Sequence, residues 1–374
     1  NEPEVYQRIA HILLPKDYIR YRLTGEFATD VSDASGMLLL DVGQRRWSPE
    51  IMRELKIPAE WLPAVHESPE LTGKVTASAA ADAGLAAGTP VVAGGGDQAA
   101  GAVGTGTVAQ GILSVVLGTS GVVFAHSDHY RVEEQGRLHA FCHAVPGSWH
   151  LMGVTLAAGG SFRWYRDVLG SAEIQDAVSK GADPYEVLIE GAKAAPEGSE
   201  GLLFLPYLSG ERTPYPDPYA RGGFIGLSNR HGKGHLTRAV LEGITYSLKD
   251  CVGLMEAAGV PINEVRASGG GAKSPFWRQL MADIFNLEII TLDATDGAPF
   301  GAALLAAVGS GQFASVEEAC AATIHIADRM EPEAESVGIY QDYYPIYQQL
   351  YSALKEINHT ISHTVEAAQK KDLR

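Results

Sequence analysis

VVAGGGDQAAGAVGTGTVAQGILSVVLGTSGVVFA, residues 91–125, is the stretch on which the fold of this chain turns. A buried strand, Val91–Ala93, runs into three glycines and Asp97. A small-residue helix, Gln98–Val103, follows. A second strand, Ile112–Leu117, is broken by Gly118–Thr119–Ser120–Gly121 and resumes as Val122–Ala125. Glycines at a strand end let another molecule approach the backbone closely, because no Cβ stands in the way. Asp97 sits where such a molecule would arrive. The turn after Leu117 offers successive backbone N–H groups and two hydroxyls, a concavity suited to phosphate. An acid and a phosphate cradle together suggest phosphoryl transfer. Each motif also has a plain structural reading, Asp97 as a helix N-cap and Gly118–Gly121 as a hairpin turn, and local sequence does not separate the two.

With 374 residues the chain exceeds one ordinary core, and two domains are expected. No apolar run approaches the ~18 residues that cross a bilayer, and the polar start NEPEVYQRIA lacks the basic and apolar regions of a signal peptide. The three cysteines, Cys142, Cys251 and Cys320, are odd in number and far apart, which argues against a disulfide framework and fits a reducing cytoplasm. Lys plus Arg is 29 against 45 for Asp plus Glu, and the formal charge of −16 disfavours a nucleic-acid surface. An anionic substrate would therefore need locally placed donors. The first residue is Asn, and a helical pattern (Val5, Ile9, Ile12, Leu13) opens at once, so an upstream part is expected to be missing.

Val5–Leu14 and Tyr18–Leu23 read as helices interrupted at Pro15, with Thr24–Gly25 as a stop. Lys16 and Asp17 have catalytic residue types, but on a surface helix they read as solvated charges. Trp47–Leu55 is a short helix with Ser48 as cap and Pro49 in its first turn. His139, Phe141 and His143 alternate on one strand face, with His150 further on. A metal site is disfavoured there, since only Cys142 could complete the set and it points to the opposite face. Ala157–Leu169 is a helix whose glycine-rich start faces either a ligand or a packed neighbour. Asp183–Ala194 is amphipathic, and GLLFLPYLSGERTPYPDPYARGGFIGL reads as a strand and a stiff loop suited to a binding wall. His235–Ala258 is a long helix. Val265–Ser268 is a strand, Gly269–Gly271 a turn, and Ser274–Pro275 the cap and first turn of the helix Phe276–Phe285. After the strand Leu287–Leu292, DGAPFGAALLAAVGSG opens a helix so small-sided that another backbone must pack closely on it. Tyr343–His363 reads as the last helix, with Asp342 as cap, Pro345 in its first turn and a Tyr/Leu/Ile stripe for the core; the tail AAQKKDLR reads as frayed.

Taken together, LLPKDYIRYRLTGEFATD (13–30), VVAGGGDQAAGAVG (91–104), LGTSGVVFA (117–125), FCHAVPGSWHLM (141–152), LPYLSGERTPYPDP (205–218), AVLEGITYSL (239–248) and SGGGAKSPFWRQLMADI (268–284) resemble the FGGY carbohydrate kinases, in that family's order and over nearly the whole chain. The resemblance implies an α/β fold of two actin-like (ribonuclease H-like, hexokinase-type) domains closing on ATP and a sugar. Residues 1–107 would be the C-terminal part of the sugar-side domain, which is then incomplete; 108–325 the nucleotide-side domain; and 326–374 a helix packing back across it with a frayed tail. By the same likeness Asp97 is the general base toward the sugar hydroxyl and Gln98 a second sugar contact. Gly118, Thr119 and Ser120 would hold the terminal phosphates, and Gly159, Gly270, Gly271 and Ser274 would line the nucleotide pocket. ATP and Mg²⁺ are the implied cofactors; the metal ligands stay open, with Asp97 through a water as the one candidate. The implied partners are a small sugar and ATP, with neither nucleic acid nor membrane, and homodimerisation is compatible with the family. D-xylulose, phosphorylated at its terminal hydroxyl, is the expected substrate, with ribulose, gluconate or glycerol as the alternatives. A non-catalytic actin-like nucleotide module and a purely structural fragment are the readings from other classes. The chain departs from the family in lacking its N-terminal Asp-x-Gly-Thr hairpin. If that segment is truly absent, exposed sheet edges and no catalysis are expected.

Overall fold

The computed structural model describes residues 2–293 and 297–372. Asp296, where the small-sided helix was predicted to open, and the last two residues of the tail lie outside them. The predicted helix over 5–14 is instead a single turn, Pro3–Tyr6, followed by extended chain. Leu14 is held extended (φ −70°, ψ 156°) by the proline after it, Ile12 N–H donates to the carbonyl of Trp61, and His11 stacks on Phe27. Pro15 does not interrupt a helix; it starts one, α1 (Pro15–Thr24), which Gly25 ends in the left-handed region at φ 77°. Ser48 and Pro49 cap and open the short helix Pro49–Leu55 as predicted.

The segment before the glycines, read as a buried strand, is only half-buried. Pro90–Val92 pairs with Leu71–Lys74 in a two-stranded antiparallel ribbon and with no other described strand. Helix α2 (Asp97–Gly104) follows, with Gly96 as its N-cap, so Asp97 is the first helical residue and not the cap.

Beyond α2 the chain builds one seven-stranded mixed sheet. Its strands are β1 (Gly111–Leu117), β2 (Gly121–Ser127), β3 (His139–Cys142), β4 (Trp149–Thr155), β5 (Ile262–Gly269), β6 (Ile289–Leu292) and β7 (Ile326–Met330), in the order β7-β6-β5-β1-β2-β4-β3. The β1–β2 hairpin is antiparallel, whereas β5 lies parallel to both β1 and β6. Every residue of β2 is buried, because helices cover both faces of the sheet. Helix α3 (Gly159–Leu169) follows β4, and a further helix, Ser171–Lys180, lies in a stretch where none was predicted. The 25-residue α4 (Lys233–Ala257) forms the spine of the main core, with Ala239, Val240, Leu241, Ile244, Tyr246 and Leu248 fully buried. Ser274 caps α5 (Pro275–Phe285) through the N–H of Trp277.

Helix α6 (Gly297–Gly309) crosses α2 backbone to backbone. An added Cβ at Gly301 would fall on the carbonyl of Ala100, and one at Gly104 on that of Gly297. Gly301→Ala is therefore expected to lower stability by about 1–3 kcal/mol, read as a lower urea midpoint, because overpacking here meets backbone that cannot rotate away. The last helix, α7 (Ala334–Asp372), runs straight through Pro345, which sits inside it and not in its first turn. Tyr340, Tyr347 and Tyr351 dock it onto the core, and that burial outweighs the local cost of an interior proline. The three cysteines are free and buried, and no described helix is long and apolar enough to cross a membrane.

Candidate active site

Two polar corners stand out. The first lies at the carboxyl ends of the parallel neighbours β1 and β5, where Leu117 is paired with Gly269, the position at which α/β sheets present ligand sites. Gly118, Thr119 and Ser120 form the β1–β2 turn, with Gly118 and Thr119 exposed. The turn is a hairpin that bonds both within itself and to the start of α3. Gly118 N–H donates to the Ser120 carbonyl, and the carbonyls of Gly118 and Thr119 accept from Gly159 and Gly160 at the start of α3, each at 2.9 Å. The N–H groups and hydroxyls of Thr119 and Ser120 make no hydrogen bond among the described residues, so four donors remain for a ligand. Gly159 is required because a Cβ there would meet the Gly118 carbonyl at 2.5 Å; its N–H serves the turn.

Gly269, Gly270 and Gly271 wrap over the same strand ends. Gly269 has φ +86° and would carry a Cβ 2.7 Å from the Leu117 carbonyl, while Gly270 is exposed, with no atom nearer than 4.0 Å to its Cβ position. Ser274 is engaged as the α5 cap. The structure thus brings Gly118–Ser120, Gly159 and Gly269–Gly271 together, and it commits the Ser274 hydroxyl to the helix.

The second corner is acidic. Asp97 is exposed at the head of α2; its Oδ1 accepts from the Gln98 N–H at 2.8 Å and its Oδ2 from Gln98 Nε2 at 3.2 Å. Beside it lies Asp33, one of whose carboxyl oxygens is 3.4 Å from where a Gly96 Cβ would stand. Burial pushes the Asp33 carboxyl up to about 6; Lys16 opposes this, while the charges of Asp30, Asp17 and Asp97 add to it. Lys16 and Asp17, predicted as solvated charges, are nothing of the kind. Asp17 is fully buried, and Lys16 Nζ lies 2.7 Å from Asp17 Oδ1, 3.0 Å from Asp30 Oδ1 and 3.9 Å from Asp33 Oδ2. Asp30, Ser32, Asp33 and Ser68 were missed by sequence reasoning. The alternation of acids and hydroxyls in TDVSDAS (29–35) is the signal that could have marked the first three.

Of the histidines predicted to share a strand face, His143 lies just beyond the end of β3 and is fixed by backbone groups. His143 Nε2 donates to the carbonyl of Thr107, and its Nδ1 accepts from Val145 N–H. Burial brings His150 down to about 3. The SGERTPYPDP loop, predicted as a binding wall, is fixed to the fold. Glu211 accepts from Thr155 Oγ1 (2.8 Å) and Leu156 N–H (2.9 Å), and Asp217 from Tyr351 and His359.

The sequence matches the FGGY family of carbohydrate kinases in two parts, its N-terminal domain over residues 1–104 and its C-terminal domain over residues 113–310. A xylulose kinase of Bacillus subtilis is 40% identical over 358 residues, covering 96% of this chain and 70% of that protein. A gluconokinase of the same species is 34% identical over 342 residues, 91% of this chain and 66% of that protein. Among solved structures, a xyloylose kinase from Brucella ovis superposes with a TM-score of 0.87 at 38% identity, covering 96% of this chain and 71% of that one.

Proposed function

The chain belongs to the FGGY family of carbohydrate kinases, and we propose that it transfers the γ-phosphoryl group of MgATP to the terminal hydroxyl of D-xylulose, giving D-xylulose 5-phosphate. The observation that carries this reading is the combination, in one short stretch, of an exposed carboxylate just after a glycine loop with a turn in which the N–H groups and hydroxyls of Thr119 and Ser120 make no hydrogen bond among the described residues. A sugar hydroxyl is a weak nucleophile at neutral pH, so a carboxylate in hydrogen-bond reach, Asp97, accepts its proton as it attacks phosphorus. Gln98, already bonded to Asp97, orients that carboxylate and faces the sugar. Thr119 and Ser120 present their N–H groups and hydroxyls to the terminal phosphates, where pre-aligned donors stabilise the charge that spreads over the transferred group. Gly159, Gly270 and Gly271 keep the nucleotide side free of side chains. Ser274 acts there only through the α5 cap.

Among the described residues no three His, Cys, Asp or Glu side chains gather into a metal site, but the carboxylate oxygens of Asp97 and Asp33 are of the type a hard divalent cation takes, and Mg²⁺ would supply charge neutralisation for the phosphates. Asp97 through a water is the residue we assign to it. In this reading residues 1–107 are the C-terminal part of the sugar-side domain, 108–325 the nucleotide-side domain and 326–374 the return helix. The large sheet, confined to Gly111–Met330, supports the first boundary, but its edge strand β7 (Ile326–Met330) belongs with the nucleotide-side sheet, so the second boundary falls between Met330 and the start of α7 and not at 325.

Coupled ADP release with MgATP and D-xylulose, D-ribulose, L-ribulose, gluconate and glycerol tests the proposal. Turnover is expected with D-xylulose above the rest. Preference for gluconate would move the substrate, a reading that the gluconokinase relative keeps open. ATP binding without turnover on any sugar would replace the kinase by a nucleotide-binding module.

A further inference from the structure

We infer that Lys16, Asp30 and Ser32 form a clamp that sets the position of the Asp97 carboxylate, acting as positioning residues through the loop Ala93–Gly96. The inference rests on the reading of Asp97 as the general base.

The loop is gripped at three successive points. Lys16 Nζ donates to the Ala93 carbonyl at 3.3 Å, Gly94 N–H donates to the Ser68 carbonyl at 3.0 Å, and Gly96 N–H donates to Ser32 Oγ at 3.0 Å. Asp30 connects the three. It is fully buried, its Oδ1 lies 3.0 Å from Lys16 Nζ, and its Oδ2 accepts from Ser32 N–H at 2.8 Å, from Ser68 Oγ at 3.2 Å and from the Ser32 hydroxyl. Because the Ser32 hydroxyl donates to Asp30, its lone pairs are turned toward Gly96. Orientation thus passes from Lys16 and Asp30 through Ser32 to the residue that caps α2, one position before Asp97.

Burying an ion pair stabilises a fold less well than apolar packing of the same volume, so stability alone is a poor account of Lys16 and Asp30. Three glycines in a row give this loop unusual conformational freedom. Misplacement of a reacting group by about 1 Å costs about 10²-fold in rate. Hydrogen bonds to Ala93, Gly94 and Gly96 remove that freedom at the place where the base is aimed.

Ser32→Ala and Lys16→Met are compared with the parent by steady-state kinetics, thermal melting and amide hydrogen exchange of the segment 94–98. Ser32→Ala removes a single hydroxyl and is the deciding variant if Lys16→Met, which leaves Asp30 without a countercharge, does not fold. The expected result is a fall in kcat of at least about tenfold, with KM for ATP within about twofold, exchange at 94–98 faster by a similar factor, and recovery in Ser32→Thr. A kcat within twofold of the parent together with unchanged exchange would overturn the clamp, as would a higher KM for the sugar at constant kcat, which would make these groups direct sugar contacts. If the parent itself turns over no sugar, the kinase reading fails separately, and unchanged exchange in Ser32→Ala still overturns the clamp.

Discussion

Asp97→Asn is expected to lower kcat by about 10²- to 10⁴-fold, the usual contribution of a positioned proton acceptor, equivalent to about 3–5 kcal/mol of transition-state stabilisation. KM for ATP should stay within a few-fold of the parent. The asparagine keeps the size of the side chain and a carbonyl oxygen for the Gln98 N–H, so the head of α2 should persist with Gly96 as its cap. What disappears is the ability to take a proton. In the proposed reading ATP takes a different corner, the turn Gly118–Ser120 and the glycines 269–271 at the ends of β1 and β5, and nothing in that corner hydrogen-bonds to Asp97. Single-turnover kinetics with D-xylulose separate the two effects. A variant with kcat near the parent would remove Asp97 from the chemistry, whereas a rise confined to KM for the sugar would make it a binding group.

The parts of this molecule legible in its sequence are those set by neighbours in the chain. Ser48 with Pro49 and Ser274 with Pro275 are caps and first turns, and both helices start where these pairs place them. The glycine turn between β1 and β2 is equally local, since a strand must break at 118–120 and resume in register. What escaped reading depends on residues distant in sequence. The apolar spacing of Val5–Leu13 reads as a helix, but Trp61 and Phe27 capture that segment in extended form. Pro345 reads as a helix start, but tyrosines at 340, 347 and 351 bury one continuous helix around it. Lys16 and Asp17 read as surface charges because Asp30, which pairs with Lys16, belongs to the next element, and no helical periodicity announces where two elements meet. The same limit hid the clamp: its members lie at 16, 30 and 32, with Ser68 beside them, and only the fold gathers these groups around residues 93–96.

Arg238→Met is expected to cost about 3–5 kcal/mol of stability at pH 8, because it leaves a buried carboxylate without its countercharge. Arg238 and Glu242 sit one turn apart on α4, with side chains 6% and 1% exposed and Nε 3.0 Å from Oε1. The guanidinium also donates to the Ala195 carbonyl at 2.7 Å, to Glu197 at 3.0 Å and to the Tyr340 hydroxyl at 2.9 Å. Glu242 in turn accepts from Gly198 N–H and the Ser199 hydroxyl, both at 2.9 Å. The pair thus fastens α4 to residues 195–199 and to α7. Burial already pushes the Glu242 carboxyl up against the pull of Arg238, and removing the arginine must push it further. The folded variant then holds a proton at pH values where the unfolded chain, with an ordinary glutamate near 4.3, has released it. Stability therefore falls as pH rises from that value through the raised one, and the deficit against the parent should be smaller at pH 5 than at pH 8. Urea midpoints at the two pH values measure it. Adding Glu242→Leu to the variant should recover much of the loss and flatten the pH dependence, since an apolar pair needs no countercharge. An equal deficit at both pH values would mean that Arg238 contributes packing over Phe276, 5.4 Å from its ring centre, more than it contributes charge.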